Sequence, residues 1–265
     1  MGSATHLEIL LRKKLSRFLV RRGQIGAAVS VLKSWEELGW GPVLFGGVIR
    51  DLLIFGGRHY PRDVDVVLRS AGTAALENEL SHFEHRRNRF GGFHLNVSRW
   101  SFDVWQLERT WAFSHDVLLS PAVENLPKTT FLDVEAIAVT LSGPNRVGRI
   151  YSNGFFEAVE RRCIDINYRA NPYPALSAIR AIVTACKLRY RISAKLADYF
   201  VQTVHDQGPA ALVDAQEQHY QKVLFRATDV VHLQTHFLSA LGTQSNSVIP
   251  LPDAYHPTQL SLWHS

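Results

Sequence analysis

Through the first 22 positions apolar residues recur at three- and four-residue intervals. Leu7, Leu10, Leu11, Leu15, Phe18 and Leu19 share one helical face, leaving Arg12, Lys13, Arg17, Arg21 and Arg22 for the other. The spacing predicts a basic amphipathic helix over 6–22, and a second helix over 24–38 that Gly39 and Gly41 stop. The pattern then shortens. Pro42–Phe45 reads as a buried strand, Gly46-Gly47 as a sharp break, and 48–55 alternates again at helical period. Gly56, Gly57 and Pro61 reset the chain before Asp63–Leu68, a β-branched run of strand type. A polar-faced helix is expected over 73–83. Segments 93–97 and 101–107 alternate at period two and read as a hairpin, and 132–141 with 147–151 flank a turn, giving either a second hairpin or a helix and strand. From 174 onward helical periodicity takes over, in 174–188 and 194–204, and an irregular tail is expected after 242. This order divides the chain into helices over 1–40, a mixed α/β head over 41–165, a helical stretch over 166–242 and a tail over 243–265.

With 265 residues, 46% of them apolar, the chain has the composition of a core-forming globular protein and excludes disordered and collagenous classes. Its formal charge of +5 and pI near 9.3 agree with a polyanionic partner without requiring one. Two cysteines, Cys163 and Cys186, suit neither a zinc site nor a disulfide framework, so a reducing cytoplasmic setting is the expectation. The most apolar early stretch carries Arg12, Lys13, Lys14 and Arg17 and is too charged to cross a bilayer, so no membrane association is expected.

The chemistry sits in the middle of the head. In Asp63-Val64-Asp65 the strand period places both carboxylates on one face, about 6–7 Å apart, with Val64 turned to the core. Asp103, in the second strand of the expected hairpin, stands where a neighbouring strand can bring a third carboxylate to that face. Three oxygen ligands suit Mg²⁺, which takes its remaining ligands from water and substrate phosphates, and two such ions serve phosphoryl transfer. Sixteen residues before Asp63, the first aspartate of the pair, Gly46-Gly47 opens a helix, where backbone amides and the helix dipole bind phosphate oxygens, with Arg50 and Asp51 placed to contact a triphosphate or to fix the loop. A surface pair of aspartates on an edge strand is the ordinary alternative for a DxD alone.

The run FGGVIRDLLIFGGRHYPRDVD resembles the motif GGxVRDxLLGRxPxDxD of the head domain of class II CCA-adding enzymes and bacterial poly(A) polymerases, in the DNA polymerase beta-like nucleotidyltransferase superfamily. By this resemblance Gly46, Gly47 and Arg50 handle the nucleoside triphosphate, Asp63 and Asp65 bind Mg²⁺, and Asp103 with the trailing Arg109 matches the acidic strand position and arginine of the same head. Val134-Glu135-Ala136-Ile137-Ala138 resembles the family's INALA segment, and Ile179-Arg180-Ala181-Ile182 through Ile192 resembles its neck helix, placing Arg180 among nucleotide-binding residues. The implied fold is α+β, a head with a small mixed or antiparallel sheet flanked by helices and followed by a helical neck. The implied reaction is Mg²⁺-dependent transfer of NMP from an NTP, ATP or CTP, to an RNA 3′ end such as that of tRNA, with two ions and release of pyrophosphate.

The sequence departs from the family at three places. Tyr173-Pro174-Ala175-Leu176-Ser177 stands where the family has EDxxR, Thr129-Thr130-Phe131 where it has RRD, and Glu135 where an asparagine is usual. These departures support an alternative, a toxin- or defence-type nucleotidyltransferase acting on a protein or an unusual tRNA. A catalytically silent RNA- or nucleotide-binding module is the third reading. Two basic runs, Arg86, Arg87 and Arg89 in an expected loop and Lys187, Arg189 and Arg191 near the neck, read either as RNA contacts or as solvated charge. Trp100, Trp105 and Trp111 read as core filling rather than base stacking, and the twelve histidines show no metal-ligand spacing.

Overall fold

The computed structural model describes residues 2–20, 24–56, 63–88, 91–98, 100–116, 119–143, 146–243 and 247–255. The chain divides into two compact units, one of residues 1–130 and 134–157, the other of 131–133 and 158–265. No described helix is long and apolar enough to cross a membrane.

The first unit opens with α1 (Gly2–Leu19) and α2 (Gln24–Glu37), followed by β1 (Pro42–Phe45), α3 (Gly47–Phe55), β2 (Asp63–Leu68) and α4 (Thr73–Leu80). Then come β3 (His85–Arg87), β4 (Phe93–Val97), β5 (Trp100–Gln106), α5 (Trp111–His115), β6 (Ile137–Leu141) and β7 (Val147–Ser152). The strands form one mixed sheet in the order β3-β4-β5-β2-β1-β6-β7. Only β2 and β5 pair in parallel; every other neighbouring pair is antiparallel. Strand alternation then sorts the side chains. Leu44, Val66 and Val104 are cross-strand neighbours on one face, and so are Val64 and Phe102, against which the fully buried Trp35 of α2 packs edge-on at 6.1 Å. Phe18 of α1 meets Trp100 in the same way at 5.7 Å. On the opposite face Val43, Phe45, Val67 and Ala138 form a second apolar cluster with Leu107 and Leu126, the latter from a 3-10 stretch, Val123–Thr129.

In the second unit α6 (Phe155–Arg161), which begins in the first, leads into β8 (Cys163–Ile164); α7 (Pro174–Leu188), β9 (Arg191–Ser193), α8 (Ala194–Tyr220), α9 (Ala227–Gly242) and β10 (Val248–Ile249) follow. The three short strands pair in the order β10-β9-β8. Gly208, at φ 79° and ψ 159°, breaks the long α8, and Pro209 restarts it with a residue whose missing N–H has no helical acceptor there. Between α8 and α9 the fully buried Gln216 acts as a clasp. Its Nε2 donates to the Leu212 and Phe225 carbonyls, and its Oε1 accepts the Leu224 and Phe225 amides.

Two expectations are corrected. Residues 85–87 are an edge strand on β4 rather than a loop, and 248–249 form β10 on β9 within the tail expected to be irregular. In both places the pairing partner supplies the order: a three-residue basic run and a two-residue apolar one carry no period of their own. The second hairpin is present as β6 and β7, with 133–135 a 3-10 turn ahead of it.

Candidate active site

The acids are brought together by register. Because β2 and β5 run parallel with Asp65 opposite Asp103 and Asp63 opposite Ser101, all three carboxylates leave the same face of the sheet. Neighbouring strands stand roughly 4.8 Å apart, so Asp65 and Asp103 are direct neighbours. The row continues to His94 on β4 on one side and to Phe45 on β1 on the other. Asp63 is exposed, and Asp65 and Asp103 are half-buried.

His94 sits between Asp103 and Ser101. Its Nδ1 lies 3.3 Å from Asp103 Oδ1 and its Nε2 3.3 Å from Ser101 Oγ. Ligand spacing along the chain could not reveal it. The signal lay in Phe93-His94-Leu95-Asn96-Val97, whose alternation puts His94 on the polar face opposite Asp103.

Beside Asp65 the chain bends at Gly46, with φ 66° and ψ −130°, a conformation open to glycine. The direction a Cβ would take there points at Asp65 Oδ2, 3.6 Å away, and at the Glu135 carbonyl, 3.9 Å away. The Gly46 amide is spent on the Ile137 carbonyl at 3.0 Å, which ties the bend to β6. Gly46 therefore shapes the bend. The amides presented by the start of α3 are those of Gly47 and Val48, which have no carbonyl four residues back within the helix.

Arg50, whose side chain retains 7% exposure, lies beneath this bend. Its Nε donates to Asp51 Oδ1 at 2.8 Å and its Nη1 to Glu135 Oε1 at 2.6 Å. Burial alone would lower the guanidinium's pKa, but the charges and hydrogen bonds of Asp51 and Glu135 outweigh it and hold it above its ordinary value. Of the two roles open to Arg50 and Asp51 in the sequence, the geometry is that of fixing the loop.

The remaining expected residues are dispersed. Arg109 reaches Thr73 Oγ1 at 3.4 Å, and its Nη1 lies 3.8 Å from where a Cβ of Gly91 would stand. Arg87 is paired with Glu77 and lies over the Phe93 ring, Arg86 is exposed on the edge strand, and Arg89 lies outside the described residues. Arg180, Lys187, Arg189 and Arg191 all belong to the second unit. Trp100 is buried, Trp105 is hydrogen-bonded to Thr110, and Trp111 is stacked on His115 at 4.4 Å. No three His, Cys, Asp or Glu side chains among the described residues are gathered closely enough to hold a metal ion. The three aspartates share a face without converging on a point. Their donor set, carboxylate oxygens alone, is nonetheless the kind that hard divalent cations take.

The mixed seven-stranded sheet flanked by helices is an α+β fold of the kind found in CCA-adding enzymes. No family model matches the sequence, and no curated protein matches it. Among solved structures the chain is similar to a CCA-adding enzyme in complex with CTP, with a TM-score of 0.59 and 17% identity over 86% of this chain and 55% of that one. It is similar also to a Thermotoga maritima CCA-adding enzyme complexed with tRNA, at TM-score 0.56 and 16% identity over 84% of this chain and 53% of that one. A tRNA nucleotidyltransferase complexed with a primer tRNA and an incoming ATP analog gives TM-score 0.53 and 16% identity over 80% and 61%. The likeness is one of fold, and the chain spans little more than half the length of the first of these.

Proposed function

We propose that the protein is a Mg²⁺-dependent nucleotidyltransferase that moves NMP from an NTP, ATP or CTP, to the 3′ end of an RNA. One observation carries the reading: Asp65 stands in register with Asp103 on parallel strands while the same Asp65 carboxylate faces the Gly46 bend that opens α3. Acids that can hold cations are thus set beside amides that can hold phosphate, which is what transfer of a nucleotidyl group from a triphosphate requires.

In this reaction the RNA 3′-oxygen forms a bond to the α-phosphorus, the bond from that phosphorus to the bridging oxygen breaks, and pyrophosphate leaves with the electron pair. Asp103 accepts the hydroxyl proton, with the His94 imidazole against its Oδ1 holding the carboxylate in orientation. Gly47 and Val48 donate to the triphosphate, and the buried Arg50, Asp51 and Glu135 keep the bend that presents those amides. Asp63, Asp65 and Asp103 would hold the two Mg²⁺, and the chemistry those ions would supply when bound is neutralisation of the charge on the departing pyrophosphate. The fold neighbours are described in complex with CTP, with an ATP analog and with tRNA, which supports both substrate classes.

Incubating the purified protein with total RNA and, separately, total protein in the presence of Mg²⁺ and each of four α-labelled NTPs should put label into RNA. The double variant Asp63→Ala and Asp65→Ala should fold and incorporate nothing. Retained incorporation by that variant overturns the assignment, and label entering protein alone replaces the RNA acceptor with a protein one.

A further inference from the structure

We propose that Arg161, Arg162, Arg189 and Arg191 of the second unit form a docking surface for the phosphodiester backbone of RNA. Far apart in sequence, they are joined by strand pairing. β8 and β9 run parallel with Cys163 opposite Arg191, the Arg191 amide donates to the Arg162 carbonyl at 3.0 Å, and Arg191 Nη2 donates to the Arg161 carbonyl at 3.2 Å. Arg189, two residues earlier, ends α7. All four side chains are exposed.

The pairing of β8 with β9 gathers four guanidinium groups at the ends of α6 and α7. None of the four arginines forms an ion pair among the described residues. The acids beside them are otherwise engaged or in solvent: Asp165 Oδ1 accepts the Ser193 hydroxyl and the Ile166 amide, Asp133 Oδ1 accepts the Asp165 amide, and Glu160 is exposed on α6. From 196 to the end the chain carries two cations and six acids. Crowding like charges without partners costs stability unless an anion arrives.

The backbone adds a second cost. Arg162 and Arg189 lie at φ 50° and φ 54°, in the left-handed region, and they account for two of the four non-glycine residues with positive φ among those described. Helices ordinarily end in this conformation with glycine. Cations also favour a helix C-terminus, but Lys187 already occupies the last turn of α7, so the helix dipole does not require an arginine in a strained position. A strained residue kept for its side chain points to contact with a partner.

Phosphate is the partner that guanidinium matches best, through two parallel hydrogen bonds to one group. The choice of RNA among polyanions rests on the transferase reading, but the test needs no turnover.

Binding of a fluorescein-labelled single-stranded oligoribonucleotide, without NTP or Mg²⁺, is followed by anisotropy across a salt series. Arg161→Gln with Arg189→Gln should raise Kd roughly tenfold at 0.1 M salt and lower the slope of log K against log salt by about 1.4, the share of two phosphate contacts on a single strand. Lys13→Gln with Arg17→Gln, which removes the same charge from α1, should change neither to that degree. Arg189→Gly should weaken binding while leaving the melting temperature equal or higher, because glycine relieves the left-handed backbone. The proposal is overturned by unchanged binding in the Arg161/Arg189 pair, by equal weakening in the α1 pair, or by an Arg189→Gly protein that melts lower yet binds as well. It is overturned also if the pair loses binding to phosphatidylserine vesicles but not to RNA. The Asp63→Ala, Asp65→Ala protein should bind RNA normally. Failure of nucleotide transfer with arginine-dependent binding intact would therefore remove the enzyme reading and keep the surface.

Discussion

Arg50 illustrates how a residue can serve a site without facing it. A guanidinium taken out of water loses several kcal/mol of solvation, and Asp51 and Glu135 offset that loss from two directions. Because Asp51 follows Arg50 on α3 while Glu135 precedes β6, the pair with Glu135 spans two segments and sets the distance between them. Glu135→Leu leaves the guanidinium with one partner, and the expected loss is about 3–5 kcal/mol by urea denaturation. Glu135→Gln keeps an acceptor and should lose less. A Glu135→Leu protein within about 1 kcal/mol of the parent would show that the pair contributes no more than an exposed one does. The glutamate itself was visible in the sequence as a departure from the motif. Its partner was not, because 85 residues separate the two and only strand order brings them together.

At the scale of elements, the legible parts were those with a period of their own. Pro42–Phe45 and Asp63–Leu68 have the bounds that apolar runs and flanking glycines suggest, and the alternation read over 93–97 and 101–107 gives the hairpin that carries Asp103, whose second strand runs one residue earlier, over Trp100–Gln106. What the pattern could not give was the parallel pairing of β2 with β5, since no local feature of either strand states which neighbour it takes. The same limit hid β3 and β10. In the helical unit, Gly208 was hidden differently: the expected helix over 194–204 ended before it, and α8 runs through it to Tyr220. At φ 79° and ψ 159° a side chain is strained even though no atom would meet its Cβ within 4 Å. Gly208→Ala should therefore cost about 1–3 kcal/mol from backbone conformation alone. A differential scanning measurement giving no loss would mean that α8 can straighten at the kink. The Gln216 clasp makes the opposite case, a position where the side chain's hydrogen bonds rather than the backbone fix the turn.

For the whole molecule, the question is whether the register that aligns Asp65 with Asp103 serves folding or ligand binding. Like charges directly opposite one another on adjacent strands repel, so an arrangement selected for stability alone would avoid them. Replacing both with asparagine, which keeps shape and hydrogen bonding, should leave the melting temperature of the ligand-free protein equal or higher. The ligand-bound protein should behave in the reverse sense. A ligand at one hundred times its dissociation constant stabilises the folded state by about 2.7 kcal/mol. For a chain of this length that amounts to roughly 5–10 °C in melting temperature. Parent protein heated with ATP or CTP should gain part of that shift without Mg²⁺, through the amides at the start of α3, and the rest when Mg²⁺ is added. The Asp65→Asn, Asp103→Asn protein should keep the first increment and lose the second. Equal Mg²⁺-dependent increments in parent and variant would place the cation away from these strands, and a variant that melts lower without ligand would make the acids structural. Either result would separate the fold from the chemistry that similar folds carry, and at 14–17% identity that separation is what the experiment decides.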